Sequence, residues 1–117
     1  MASVDVVKRY QRALGEGDFD AARGVLKDDL RFQGPFDTFD NADDYLKAVQ
    51  ALHGIIESVD MKHLWADGDE IVMLYDMVTS TPAGTQLICE WHGVEGDKIG
   101  RIRVVFDSAP FAFLRGG

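Results

Sequence analysis

The sequence predicts an α+β domain: helices first, then a curved antiparallel sheet that they cover on one face. Three observations carry this reading. Gln86 to Val94 and Lys98 to Asp107 are strand-forming runs joined by Glu95-Gly96-Asp97. The second run alternates, with Ile102, Val104 and Phe106 set against Arg101, Arg103 and Asp107, the period-two mark of a half-buried strand. The N-terminal third instead places apolar residues at helical spacing.

The elements follow in order. Ser3 is a candidate cap for a first helix that runs to about Gly15, with Val7, Tyr10 or Gln11, and Leu14 in register. Gly15-Glu16-Gly17 stops it. Asp18 caps a second helix, and Asp20 adds favourable charge at its positive end. Leu30 to Gln33 reads as a short strand ended by Gly34-Pro35, and Phe36 to Asp40 as a loop. Asp40 or Asn41 caps a third helix lined by Tyr45, Leu46, Val49 and Leu52. Ile55 to Trp65 is a strand with Val59, Met61, His63 and Trp65 on one parity. Ala66-Asp67-Gly68-Asp69 is a turn, Glu70 to Ser80 a strand, and Thr81-Pro82-Ala83-Gly84 a second turn. The tail, Pro110 to Gly117, either packs back or frays.

Composition sets bounds. The 117 residues suit one domain, spanning 1–117. A net charge of −8 repels phosphate, so neither nucleic acid nor an anionic membrane is expected as a partner. The single cysteine, Cys89, excludes an internal disulfide and a cysteine zinc cage. No apolar run reaches the length of a membrane span, the first residues do not read as a signal peptide, and the expected compartment is the cytoplasm. No histidine spacing supports a metal site, and no cofactor is expected.

VVKRYQRALGEGDFDAARGVLKDDLRFQGP, a helix, and then VEGDKIGRIRVVFD together resemble the SnoaL-like, or ketosteroid isomerase-like, superfamily, which also holds nuclear transport factor 2. The resemblance covers about Val4 to Pro110. It implies a cone: helices close one end of the bent sheet and enclose an apolar pocket. The family contains isomerases, cyclases, dehydratases, epoxide hydrolases and non-enzymatic binding domains, so the fold does not name the function. Carried over residue by residue, the isomerase oxyanion tyrosine falls on Tyr10. The isomerase base falls on Gly34, which cannot transfer a proton, and the protonated aspartate falls on Cys89, a weak donor. Ketosteroid isomerisation by that mechanism is not expected.

Strand parity supplies replacements. With Cys89 inward, Leu87 and Trp91 follow it, and so do Val72, Leu74 and Asp76 on the preceding strand. Asp76 then becomes a carboxylate among apolar neighbours, tuned upward for proton transfer if no cation meets it. Asp37, on the loop after Gly34-Pro35, can reach a pocket mouth. The expected catalytic group is Tyr10, Asp76 and Asp37. The expected pocket wall is Phe32, His63, Trp65, Val72, Leu74, Cys89, Trp91, Ile102 and Val104. The expected activity is cofactor-free acid–base chemistry on a hydrophobic small molecule, as an isomerase, cyclase, dehydratase or hydrolase. The alternative is a non-catalytic ligand-binding or dimerisation domain.

The same parity turns Ile71, Met73, Tyr75, Met77, Ile88 and Val105 outward, rimmed by Glu90, His92, Arg101 and Arg103. So large an apolar face predicts a homodimer joined through the outside of the sheet. A β-bulge would exchange inside and outside along this scheme.

Overall fold

The computed structural model describes residues 2–115, with side chains through Ala112. Three helices, α1 (Ser3–Gly15), α2 (Phe19–Gly24) and α3 (Ala42–His53), pack on one six-stranded sheet. The strands are β1 (Leu26–Gln33), β2 (Thr38–Phe39), β3 (Ile56–Asp67), β4 (Glu70–Thr79), β5 (Thr85–Glu95) and β6 (Lys98–Val105). Their spatial order is β2-β1-β6-β5-β4-β3. Helices on one face of a curved sheet are as the sequence predicts.

The sheet is mixed rather than wholly antiparallel. β1 runs parallel to β6, pairing Arg31 with Arg101 and Phe32 with Ile102. β1 also begins earlier than the alternation of Leu30 to Gln33 suggests, because Leu26 already pairs with Ile99. The Phe36 to Asp40 loop contains the short β2, antiparallel to β1.

The helix signals hold in chemistry. Asp18 Oδ1 accepts from the Ala21 amide at 3.0 Å, and Asn41 Oδ1 from the Asp44 amide at 2.8 Å. Each satisfies an amide that the first turn leaves without an intrahelical partner. Ser3 is the first residue of α1 rather than its cap, and its hydroxyl donates to Asp69 at 2.6 Å. Gly68 and Gly96 take positive φ in the β3–β4 and β5–β6 turns, where other residues would be strained. The tail packs back as a 3-10 helix, Ala109–Arg115, through Phe111; Gly116 and Gly117 lie outside the described residues.

The expected strand parity is inverted, and a bulge is the cause. Glu95 pairs with Lys98 and Val94 with Ile99, but Gly93 pairs with Arg101. Gly100 is therefore the extra residue in β6. Ile99 and Ile102, three apart, both point into the core. Past the bulge, Glu90 faces Val104 and His92 faces Ile102. β4 follows β5 without interruption, so Ile71, Met73, Tyr75 and Met77 are buried. Val72, Leu74 and Asp76 turn to the outer face. A second bulge at Lys62 divides β3. Val59 and Met61 lie across from Met77 and Tyr75, whereas His63 and Trp65 lie across from Leu74 and Val72.

The interior holds two apolar clusters. The larger joins Val6, Val7 and Tyr10 of α1 and Tyr45 and Leu46 of α3 to Leu26, Leu30, Ile71, Met73, Ile99 and Ile102 of the sheet. The smaller joins Tyr75, Met77, Ala83, Ile88 and Phe111, with Phe36 and Phe106 against it. Val104 touches both. The two hollows described in the structure are open ones of about 230 and 280 Å³ beside β1 and β6, and neither is an enclosed apolar pocket of the kind the resemblance implies. Among the described residues no helix is long and apolar enough to cross a membrane.

The inversion has a direct stability test. Met73→Ala empties a fully buried position and is expected to cost about 2–5 kcal/mol in urea unfolding. Val105→Ala, at a site 67% exposed, is expected to stay within about 0.5 kcal/mol. A cost for Met73→Ala as small as that for Val105→Ala would return the expected parity, which puts both side chains outside.

Candidate functional site

The inversion carries Glu90 and His92 to the inner face of β5 and Tyr75 to the inner face of β4. Tyr75 donates its hydroxyl hydrogen to Glu90 Oε2. His92 Nε2 lies 2.9 Å from Glu90 Oε1, and Gln11 of α1 reaches the same oxygen at 3.5 Å. A second pair, Tyr10 and Tyr45, joins hydroxyl to hydroxyl at 2.6 Å, bridging α1 and α3. The Tyr10 and His92 rings lie 6.0 Å apart, connecting the two groups. Phe32 holds Tyr45 in place, with ring centroids 4.8 Å apart. All three tyrosines of the chain thus gather around one buried carboxylate.

The electrostatics follow from burial and from these donors. Burial alone would raise the Glu90 carboxyl. The hydrogen bond and charge of His92, with the hydrogen bonds from Tyr75 and Gln11, outweigh it and hold the group below the usual range. Glu90 is therefore ionised at neutral pH and can only accept, so His92 Nε2 carries a proton. His92 Nδ1 is buried and has no hydrogen-bond partner among the described residues. Burial raises the Tyr10 hydroxyl well above its ordinary value, and its neighbours Tyr45 and Glu90 add to this. Burial and the Glu90 charge raise Tyr45 and Tyr75 as well. The site therefore offers one charged acceptor and several hydroxyls that stay protonated.

The expected site residues divide between the two faces. Tyr10 lies in the cluster, and Phe32, Ile102 and Val104 face inward as expected. Asp76 does not: it lies on the outer face, 31% exposed, with Lys62 Nζ 3.4 Å away. It is neither buried nor without a cation. Asp37 is exposed on the turn between β1 and β2, where its carbonyl accepts from the Gly34 amide. His63 stacks on Trp65 outside the sheet, with ring centroids 5.2 Å apart. Val72, Leu74, Cys89 and Trp91 share that outer face, where Arg101 lies 4.6 Å from the Trp91 ring centroid. These six expected wall residues are displaced by the same bulges. Glu90, His92 and Tyr75 were expected outside. The spacing Ile99, Ile102, Val104 holds the signal that could have found them, since it breaks period two at Gly100. Among the described residues no three His, Cys, Asp or Glu side chains group so as to hold a metal ion.

A family model for the SnoaL-like domain matches residues 7–102. The chain belongs to the SnoaL-like family. No curated protein sequence matches it. Among solved structures, a Kribbella flavida protein superposes with a TM-score of 0.89 at 24% identity, covering 98% of this chain and 94% of its own. A protein of unknown function from Cytophaga hutchinsonii, described as like nuclear transport factor 2, gives 0.83 at 19% identity over 96% of each chain. An epoxide hydrolase from Mycobacterium tuberculosis gives 0.76 at 21% identity, covering 97% of this chain and 90% of its own. At these identities the likeness establishes the SnoaL-like fold and no activity.

Two pH limits follow. Folded tyrosines titrating above the unfolded value stabilise the fold fully below about pH 10, and that contribution is lost as the pH rises further, by about 1.4 kcal/mol per unit per tyrosine. Tyrosinate absorbance should therefore appear in one step, together with loss of the fold. One tyrosine ionising near pH 10 in a folded chain would contradict the cluster. Glu90 acts with the opposite sign: its contribution is present above the usual carboxylate range and lost as the pH falls through its folded value. Glu90→Gln should flatten the acid limb of stability against pH.

Proposed function

We propose that this SnoaL-like chain is a cofactor-free acid–base enzyme acting on a hydrophobic small molecule, with Glu90 as the proton acceptor. The carrying observation is the buried, ionised Glu90 held by Tyr75, His92 and Gln11. His92 and Gln11 keep the carboxylate charged and aimed. The tyrosine hydroxyls, slow to ionise, polarise an oxygen of the substrate without losing their protons. An isomerase or cyclase would use the carboxylate to remove a proton from carbon; a dehydratase or hydrolase would use it on a hydroxyl or a water. The epoxide hydrolase among the structural relatives suits the last class. We place the protein in the cytoplasm, on its single thiol and acidic balance.

The test uses two probe sets: apolar ketones followed by solvent-deuterium exchange, and apolar epoxides followed by hydration. Turnover by wild type should fall about 10²- to 10⁴-fold in Glu90→Gln, the range of general acid–base catalysis. No turnover of either set, or equal rates in the variant, would leave the second reading, a binding domain. That reading draws on one feature: both Glu90 oxygens are already engaged by the protein.

The partner is a second copy. The outer face places Trp65, Val72, Leu74, Leu87, Cys89, Trp91 and Val105 around one apolar area, with Trp65 52% and Leu87 54% exposed. Arg101 and Arg103 on β6, and Asp60 and Asp76 towards β3, rim it with opposite charges. Such an area exceeds the scattered apolar residues of a monomer. Sedimentation at micromolar concentration should give a dimer for wild type and a monomer for Leu74→Glu, which places a charge at the symmetric contact. A monomeric wild type would end the proposal.

A further inference from the structure

We infer that Arg31, Arg101 and Arg103 form an oxyanion-binding site on the outer face of the sheet, one that takes the phosphate or carboxylate group of a small molecule. It lies apart from Glu90, which is on the inner face, and does not rest on the catalytic reading. Parallel pairing of β1 with β6 sets Arg31 beside Arg101 and Gln33 beside Arg103. Two like charges at one register position oppose that pairing unless an anion joins them. The chain as a whole carries −8, so this gathering of cations runs against its general balance.

The protein's own groups do not close the site. Arg101 Nη2 donates to both Glu70 oxygens, at 2.6 and 2.9 Å, while its Nε is buried with no hydrogen-bond partner among the described residues. Arg103 Nη2 donates to Gln33 Oε1 at 3.0 Å, a neutral acceptor. Arg31 is exposed, and its guanidinium has no ion pair or hydrogen bond among the described residues. Asp40 borders the same hollow, but its Oδ1 accepts from Asn41 Nδ2 at 3.2 Å. Three guanidinium groups against two carboxylates, Glu70 and Asp40, leave one positive charge in excess.

Two of the three are already held in place. Arg101 Cζ lies 4.6 Å and Arg103 Cζ 5.9 Å from the Trp91 ring centroid. Gly93 leaves room for the first, since a Cβ there would come within 3.0 Å of Arg101 Nη2. The hollow of about 280 Å³ is lined by all three arginines together with Gln33, Thr38 and Asp40. The hollow of about 230 Å³ shares Gln33 and Arg103 with it and is bordered by Pro35 and Val105, which leaves space for the less polar remainder of a ligand. Guanidinium forks match the paired oxygens of a phosphate or carboxylate.

The probes are inorganic phosphate and acetate, titrated at constant ionic strength and read from the nuclear magnetic resonance shift of the Trp91 indole. Wild type should give a saturable shift with at least one of them. Arg31→Gln should raise that Kd about ten- to hundredfold, the loss of one charge-assisted contact. Lys8→Gln, which removes an exposed cation from α1, should leave it unchanged. In phosphate-free buffer Arg31→Gln should unfold no earlier than wild type, because it relieves the repulsion with Arg101. No saturable shift with either anion, or equal weakening in Arg31→Gln and Lys8→Gln, would overturn the inference. So would earlier unfolding of Arg31→Gln in phosphate-free buffer, which would give Arg31 a structural task. Tighter binding in Leu74→Glu than in wild type would overturn the small-molecule assignment, because a carboxylate of the second copy would then fill the site.

Discussion

The extra residue at Gly100 is the constraint on which the rest of the interior depends. A hairpin with no bulge would keep one parity from its turn to its end. Here Val94 and Ile99 face inward beside the turn, and one residue later Gly93 and Arg101 face outward together. A Cβ at Gly100 would displace only the Glu95 carboxylate, the movable end of an exposed side chain, so the extra residue follows from the ladder and not from crowding. Everything beyond the bulge inherits its phase. Glu90 and His92 enter the interior, Cys89 and Trp91 leave it, and β4 follows through an unbroken ladder. One backbone irregularity thus determines which of two apolar strand faces becomes core, and it puts a carboxylate there.

Much of the fold was legible in the residues because its signals are local. The Asp18 and Asn41 caps, the turns at Gly68 and Gly96, and the stripe Val7, Tyr10 and Leu14 need no knowledge of distant partners. Tyr10 was legible as a site residue for the same reason, by its place in the first helix. The parity of β4 and β5 was not. Ile71, Met73, Tyr75 and Met77 compete with Val72, Leu74 and Asp76, and both sets are apolar enough to be core. Where both faces of a strand are apolar, alternation identifies a strand without orienting it. Cross-strand register orients it, and register depends on bulges at Gly100 and Lys62 that propensity does not reveal. The parallel pairing of β1 with β6 was hidden likewise, because it joins residues far apart in the chain.

The site combines opposed demands. A carboxylate in an apolar interior is costly unless donors surround it. Tyr75, His92 and Gln11 meet that need from two strands and a helix, so the charge ties α1 to the sheet as much as it equips a site. Tyr10 and Tyr45 make the corresponding neutral tie between α1 and α3. Glu90 and His92 lie between two apolar clusters rather than inside either one, with Tyr10 and Tyr45 in the larger and Tyr75 in the smaller. That boundary lets a charged group stay mostly dry, with its side chain 11% exposed, while a neighbouring apolar space remains separable from the helical core.

The parallel seam between β1 and β6 gives the sheet an uneven durability. β3 through β6 are joined by short connections, so each ladder among them closes a small loop. The β1–β6 ladder pairs Leu26 with Ile99 and must close most of the chain, at a larger entropic cost. Partial opening therefore favours this seam. An opened chain would release β1 and loosen α3, whose Tyr45 rests on Phe32. Glu90, His92 and Tyr75 would stay together, because β4 and β5 alone carry them. Their backbone amides should consequently be among the slowest to exchange hydrogen with solvent, and those of β1 among the faster in the sheet.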